Sequence, residues 1–193
     1  MKRISILALA MAVPAVLAAQ APAQQPVTDP ITTSFRNRIN GLERNVALAF
    51  DSIPESKFNY KPTPAQLSIG YIAQHVTNDN YFFCNNYGDK KGTRPDEETS
   101  TPDSVKATWP KDKLVAALKA SFAFCQDAMT QINDAKLGEA FTMTAPNGST
   151  RQVYRSNYVL GHALDLSDHY SQLANYMRLN GILPPSALNR PPR

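Results

Sequence analysis

The chain has 193 residues, with 20 Lys and Arg against 16 Asp and Glu, a formal charge of +4, two cysteines and three histidines. The cations are scattered among acids, and Lys2 and Arg3 fall in an N-terminal leader. There is thus no basic patch to track a phosphate backbone and no basic amphipathic helix for a membrane surface, so neither nucleic acid nor a membrane surface is expected as a partner. About 170 residues remain after the leader, enough for one domain with a single core.

Lys2 and Arg3 precede an apolar run, Ile4 to Ala19, that contains Pro14 and ends in small residues. This is the pattern of a secretory signal peptide, placed at 1–23. The run is shorter than a membrane span needs, and no cysteine follows it for lipid attachment. The mature chain is therefore expected to be exported, periplasmic or secreted, with no stable membrane insertion after cleavage.

A polar leader, 24–29, comes next. Asp29 followed by Pro30 reads as a helix start. Phe35, Ile39, Leu42, Val46 and Phe50 then recur every three or four residues, predicting a helix that stops before Pro54. Pro62 and Pro64 hold the following connection extended. Ser68 can cap a second helix, Ile69 to about Tyr87, with Ile69, Ile72, Val76 and Phe83 on its apolar side and His75 and Asp79 at the edge. Residues 88–108 turn polar and charged, a solvated loop long enough to be mobile or to cover a site. A third helix runs from near Pro110 to about Asn133, burying Leu114, Leu118, Phe122, Cys125, Met129 and Ile132. Phe141 to Thr144 and Ser149 to Tyr154 flank Asn147-Gly148, predicting a short hairpin. The last element is a long helix from Ser156, closed by Gly181 with Pro184 and Pro185 beyond to prevent resumption. A polar tail, 187–193, ends the chain.

Four amphipathic helices without a sustained strand pattern make residues 30–186 an all-α helix bundle. The last helix carries an apolar stripe, Leu166, Tyr170, Leu173 and Met177, beside a polar one, Tyr158, His162, Asp165, His169 and Gln172. Asp165 and His169 lie one turn apart, with Cβ atoms about 6 Å from each other, a reach at which two side chains can share one metal ion. His75 completes the set if the second and fourth helices face each other. His162 lies about 10.5 Å along the axis from His169 and ranks below Asp165 as a ligand. Asp79 reads as an extra ligand or as an acid that orients a histidine, while Tyr158, His162 and Gln172 are candidates to support the ligands or line a pocket. The alternative is that the histidines are partly buried groups hydrogen-bonded to Asp165, Asp79 or tyrosines.

Several stretches together resemble the DinB-like superfamily, in particular its exported members, across nearly the whole mature chain. They are Phe35 to Ile53, the K-P-T-P-A-Q-L-S-I-G-Y-I-A-Q-H run from Lys61 to His75, Phe83-Cys84, the A-L-K-A-S-F-A-F-C run from Ala117 to Cys125, and D-H-Y-S-Q-L-A-N-Y-M-R-L-N-G-I-L-P-P-S from Asp168 to Ser186. The resemblance implies an up-down-down-up four-helix bundle, and a divalent metal held by three histidines, one on the second helix and two, four apart, on the fourth. His75 and His169 match the first and last of these; Asp165 stands where the middle one is expected. The implied ligand set is then His75, Asp165 and His169, or else a site that has lost its metal. Two imidazoles and a carboxylate suit zinc or nickel, with iron or manganese as alternatives. The resemblance also brings Cys84 near Cys125, which in an exported protein points to a disulfide. Cytoplasmic relatives include thiol-dependent transferases and an isomerase, whereas export favours a hydrolase acting on a small molecule; the other class of function is non-catalytic metal or small-ligand binding. The resemblance allows a homodimer.

Overall fold

The structure, a computed structural model, describes residues 26–145 and 147–188. The segment expected as a signal peptide, the first two residues of the polar leader, Pro146 and residues 189–193 of the tail lie outside the described residues. In chain order the elements are α1 (Pro30–Ser52), a 3-10 turn (Glu55–Lys57), α2 (Ile69–Cys84), α3 (Asp96–Ser100), α4 (Asp103–Lys106), α5 (Lys111–Met129), α6 (Asp134–Leu137), β1 (Ala140–Thr144), β2 (Thr150–Tyr154), α7 (Arg155–Leu179) and α8 (Pro185–Leu188).

The four long helices form the bundle, and contacts between named pairs give their directions. Asn80 meets Ser121 and Cys84 meets Cys125, so α2 and α5 run parallel. His75 meets His169 while Cys84 meets His162, so α2 and α7 run antiparallel. Arg36 reaches Met129, Glu43 reaches Gln126 and Asp51 reaches Lys119, so α1 opposes α5. The order is up-down-down-up, as the resemblance implies. Apolar side chains at helical spacing, among them Leu42, Phe50, Ile72, Leu118, Leu166 and Leu173, fill the centre. The hairpin β1–β2 is antiparallel, pairing Ala140 with Tyr154 and Thr144 with Thr150.

Local signals account for most boundaries. Ser68 caps α2 by accepting the Tyr71 N–H at 3.2 Å. Gly181, at φ +72°, closes α7, where the Ile182 N–H returns to the Met177 carbonyl. Other boundaries differ from the sequence reading. Asp29 does not cap its own helix: the Asp134 carboxylate accepts the Ile31 and Thr32 N–H groups, while Asp29 Oδ1 accepts the N–H of Asp134. α2 ends at Cys84 rather than near Tyr87, and the third helix ends at Met129, after which Asn133 caps α6. Pro185 opens a last short helix, because at the first helical position its missing N–H costs nothing.

The largest difference concerns residues 88–108, expected as a solvated loop. They carry α3 and α4, and α4 packs on α2. Lys106, only 4% exposed, bonds Asn78 Oδ1, the Glu98 carbonyl and Asp103. Gly70 permits the close approach: a Cβ there would lie 2.3 Å from the Ala107 carbonyl oxygen. Buried charge and backbone proximity thus fix a segment whose composition reads as loop.

Candidate metal centre

His75 and Asp79 occupy adjacent turns of α2, and Asp165 and His169 adjacent turns of α7. Because α2 and α7 are antiparallel neighbours, the two pairs meet. His75 Nε2 lies 3.1 Å from Asp79 Oδ2, which is 4.0 Å from His169 Nε2. The two imidazoles stand edge to face, with centroids 4.9 Å apart. His75, Asp79 and His169 each offer a ligand atom, and all three atoms lie within 4.8 Å of one another.

This changes the ligand set expected from the sequence. Asp79 is inside the cluster, whereas Asp165 lies outside that set of three and places its Oδ1 3.5 Å from His169 Nε2. The cause is the facing of the helices: Asp79 comes from the same helix as His75 and reaches His169 across the interface, while Asp165, one turn from His169 on α7, approaches that same Nε2. The repeated four-residue spacing on the two helices was visible in the sequence; which acid reaches both imidazoles was not.

The electrostatics favour a cation. Burial raises the Asp79 carboxyl above its ordinary value, opposed by His75 and reinforced by Asp165; His169 opposes it and Asp103 on α4 reinforces it more weakly. Burial works against a charged His169, yet Asp165, then Gln172 and Asp79, hold its imidazole above the usual value. Two carboxylates, Asp79 and Asp165, thus stand within 4.0 Å of the imidazoles. Asp165 Oδ2 and His169 Nδ1 are buried with no hydrogen-bond partner among the described residues. A nitrogen, nitrogen and oxygen donor set in excess negative charge fits a divalent ion.

The cluster is open on one side, because the His75 and Asp79 side chains remain 35% and 22% exposed. Of the aromatics that could seal it, Tyr71 stands beside it, 6.1 Å from the His75 ring. Tyr81 stacks on Phe124, Phe82 packs on Phe83 and Tyr158, and the Tyr170 hydroxyl accepts the Ser186 N–H. Gln172 remains next to His169. Tyr158 does not reach the cluster: its hydroxyl lies 3.6 Å from Met143 Sδ, beside the hairpin. His162 also leaves the stripe, being fully buried.

His162 belongs to a second polar cluster in the core. Cys84 and Cys125 form the disulfide that the resemblance implied. Asn80 Nδ2 donates to Ser121 Oγ, which leaves Asn80 Oδ1 to accept from His162 Nε2 at 2.8 Å. Nδ1 is then the lone-pair nitrogen, and it accepts the Tyr87 hydroxyl proton. Burial pushes the imidazole down to about 4, with Asp165 opposing, so His162 is neutral.

A family model, that of the DinB superfamily, matches residues 39–164. The chain belongs to the DinB superfamily. The match includes His75, Asp79 and His162 and stops one residue before Asp165. Among solved structures, a DinB-like protein from Bacillus cereus is similar at a TM-score of 0.61 and 14% identity, over 79% of this chain and 95% of that one. A conserved protein from Enterococcus faecalis is similar at 0.55 and 15%, over 77% and 96%. A mycothiol-dependent maleylpyruvate isomerase is similar at 0.56 and 14%, over 74% of this chain and 60% of that one. At these identities the likeness concerns the fold. No curated protein sequence matches the chain. Among the described residues no helix is long and apolar enough to cross a membrane.

Proposed function

We propose that this DinB-superfamily protein is an exported, divalent-metal-dependent enzyme, a hydrolase or transferase of a small molecule, with the ion held by His75, Asp79 and His169. The observation that carries this reading is the convergence of those three side chains from α2 and α7 at a solvent-reachable point. Zinc or nickel suits the donor set best, with iron or manganese as alternatives.

When bound, such an ion supplies Lewis-acid polarisation and lowers the pKa of a coordinated water or thiol. The chain's own groups do the rest. Asp165, beside His169 Nε2 on α7, orients that ring and keeps negative charge next to the cluster. Asp103, carried by α4 and paired with Lys106, adds only a weak negative influence on Asp79. The disulfide belongs to an oxidising compartment, where hydrolysis fits better than chemistry needing a free cofactor thiol.

A second reading is non-catalytic binding of a metal or small ligand. It draws on the fact that both imidazoles already have carboxylate partners and so stand without an ion. Elemental analysis of protein purified without an affinity tag separates the readings when followed by turnover assays. About one equivalent of metal, lost in His169→Ala, together with turnover of an ester, amide or thiol substrate by the loaded protein, is the expected result. Metal without turnover in such a screen favours binding, and no metal uptake at all refutes the site.

A further inference from the structure

The core cluster around His162 has a chemistry that the superfamily reading leaves unused. Cys84 Sγ, Cys125 Sγ and a ring nitrogen of His162 lie within 4.8 Å of one another, all three residues buried. Nδ1 is 3.7 Å from Cys84 Sγ. It is the unprotonated nitrogen, because Nε2 is committed as donor to Asn80 Oδ1, and Asn80 is held in turn by Ser121. A metal-ligating histidine is ordinarily prepared in this way, one nitrogen pinned by a carbonyl so that the other presents its lone pair. The half-buried Phe83 ring stacks on the imidazole, at 5.6 Å between centroids and 21° between planes, and limits its rotation.

We propose that reduction of the Cys84–Cys125 disulfide creates a second metal site, in which two thiolates and His162 Nδ1 bind a thiophilic divalent cation, zinc in the first instance. The reductant is a dithiol or a phosphine. It gives two electrons to the S–S bond, each sulfur takes up one proton, and the dithiol leaves as its own disulfide or the phosphine as its oxide with oxygen from water. Metal binding then releases both thiol protons. Two thiolates balance the dication, so the site carries no net charge, which suits a core that burial has already made hostile to charge. The Tyr87 hydroxyl, which now donates to Nδ1, would give up that bond.

The test uses cobalt(II) as probe and a phosphine as reductant, under anaerobic conditions, on the full protein and on His169→Ala, which removes the surface cluster. The reduced protein is expected to take up about one equivalent with a thiolate-to-cobalt charge-transfer band, in both backgrounds; the oxidised protein is expected to show no such band. Zinc should displace the cobalt and raise the melting temperature of the reduced form. Cys84→Ser/Cys125→Ser should lack the band. His162→Gln should weaken binding by more than the roughly 10–100-fold that loss of a supporting neighbour costs. A reduced protein of native helicity without the band overturns the proposal, as does a band unchanged in His162→Gln. Should reduction unfold the chain, zinc is expected to restore helicity, and failure to do so also overturns it.

Discussion

Asp79 Oδ2 lies 3.1 Å from His75 Nε2, one turn away on the same helix, and 4.0 Å from His169 on the facing one. Asp165 touches His169 alone of the two imidazoles. The two acids therefore differ in kind. Asp165→Asn is expected to lower zinc affinity by roughly 10–100-fold, as for loss of a group that supports a ligand. Asp79→Ala is expected to cost more. Isothermal titration of both variants against the parent checks the order, and the reverse order would reassign the third ligand to Asp165.

Glu43 and His162 predict opposite pH dependences of stability. Glu43 is buried on α1; burial pushes its carboxyl from 4.5 up to about 7, although Gln126 donates to it. The folded state binds this proton more tightly, so the resulting stability is complete below pH 4.5 and is lost as pH rises through about 7. His162 is depressed from 6.5 to about 4, so its contribution is complete above pH 6.5 and is lost as pH falls towards 4. Between pH 4.5 and 6.5 these two contributions oppose each other. Glu43→Gln should gain up to about 3 kcal/mol at pH 8 and expose the rising His162 limb in urea melts across pH.

The disulfide links residues 41 apart in sequence and restricts the unfolded chain accordingly. In metal-free buffer, Cys84→Ser/Cys125→Ser should lose about 4 kcal/mol by loop entropy, read from the urea midpoint. The loss should not depend on His169, because the two clusters lie at different levels of the bundle.

Gly70→Ala places a methyl group against the Ala107 carbonyl, a backbone atom that cannot rotate away. A loss of about 1–3 kcal/mol is expected. Hydrogen exchange should rise across residues 89–110 while the amides of α5 stay protected. If α4 remains protected, the segment is not held by this close approach.

Helical periodicity, caps and breakers determined the four long helices and the hairpin within a few residues, because those signals act over one or two turns and need no knowledge of neighbours. Ser68, Pro30 and Gly181 sit where such rules place them. The spacing of His75, Asp79, Asp165 and His169 also marked both halves of the candidate site. Tertiary structure alone decided which halves meet and how. The helix pairing put Asp79 within reach of both imidazoles and left Asp165 beside His169 alone. It took His162 from the polar stripe into the core, where Tyr87 and Asn80 satisfy its ring, and it laid a charged, loop-like segment on α2 through Gly70 and Lys106. Each of these outcomes depends on partners roughly 20 to 100 residues away in sequence, and at that range a local pattern states what a side chain is but not what it will face.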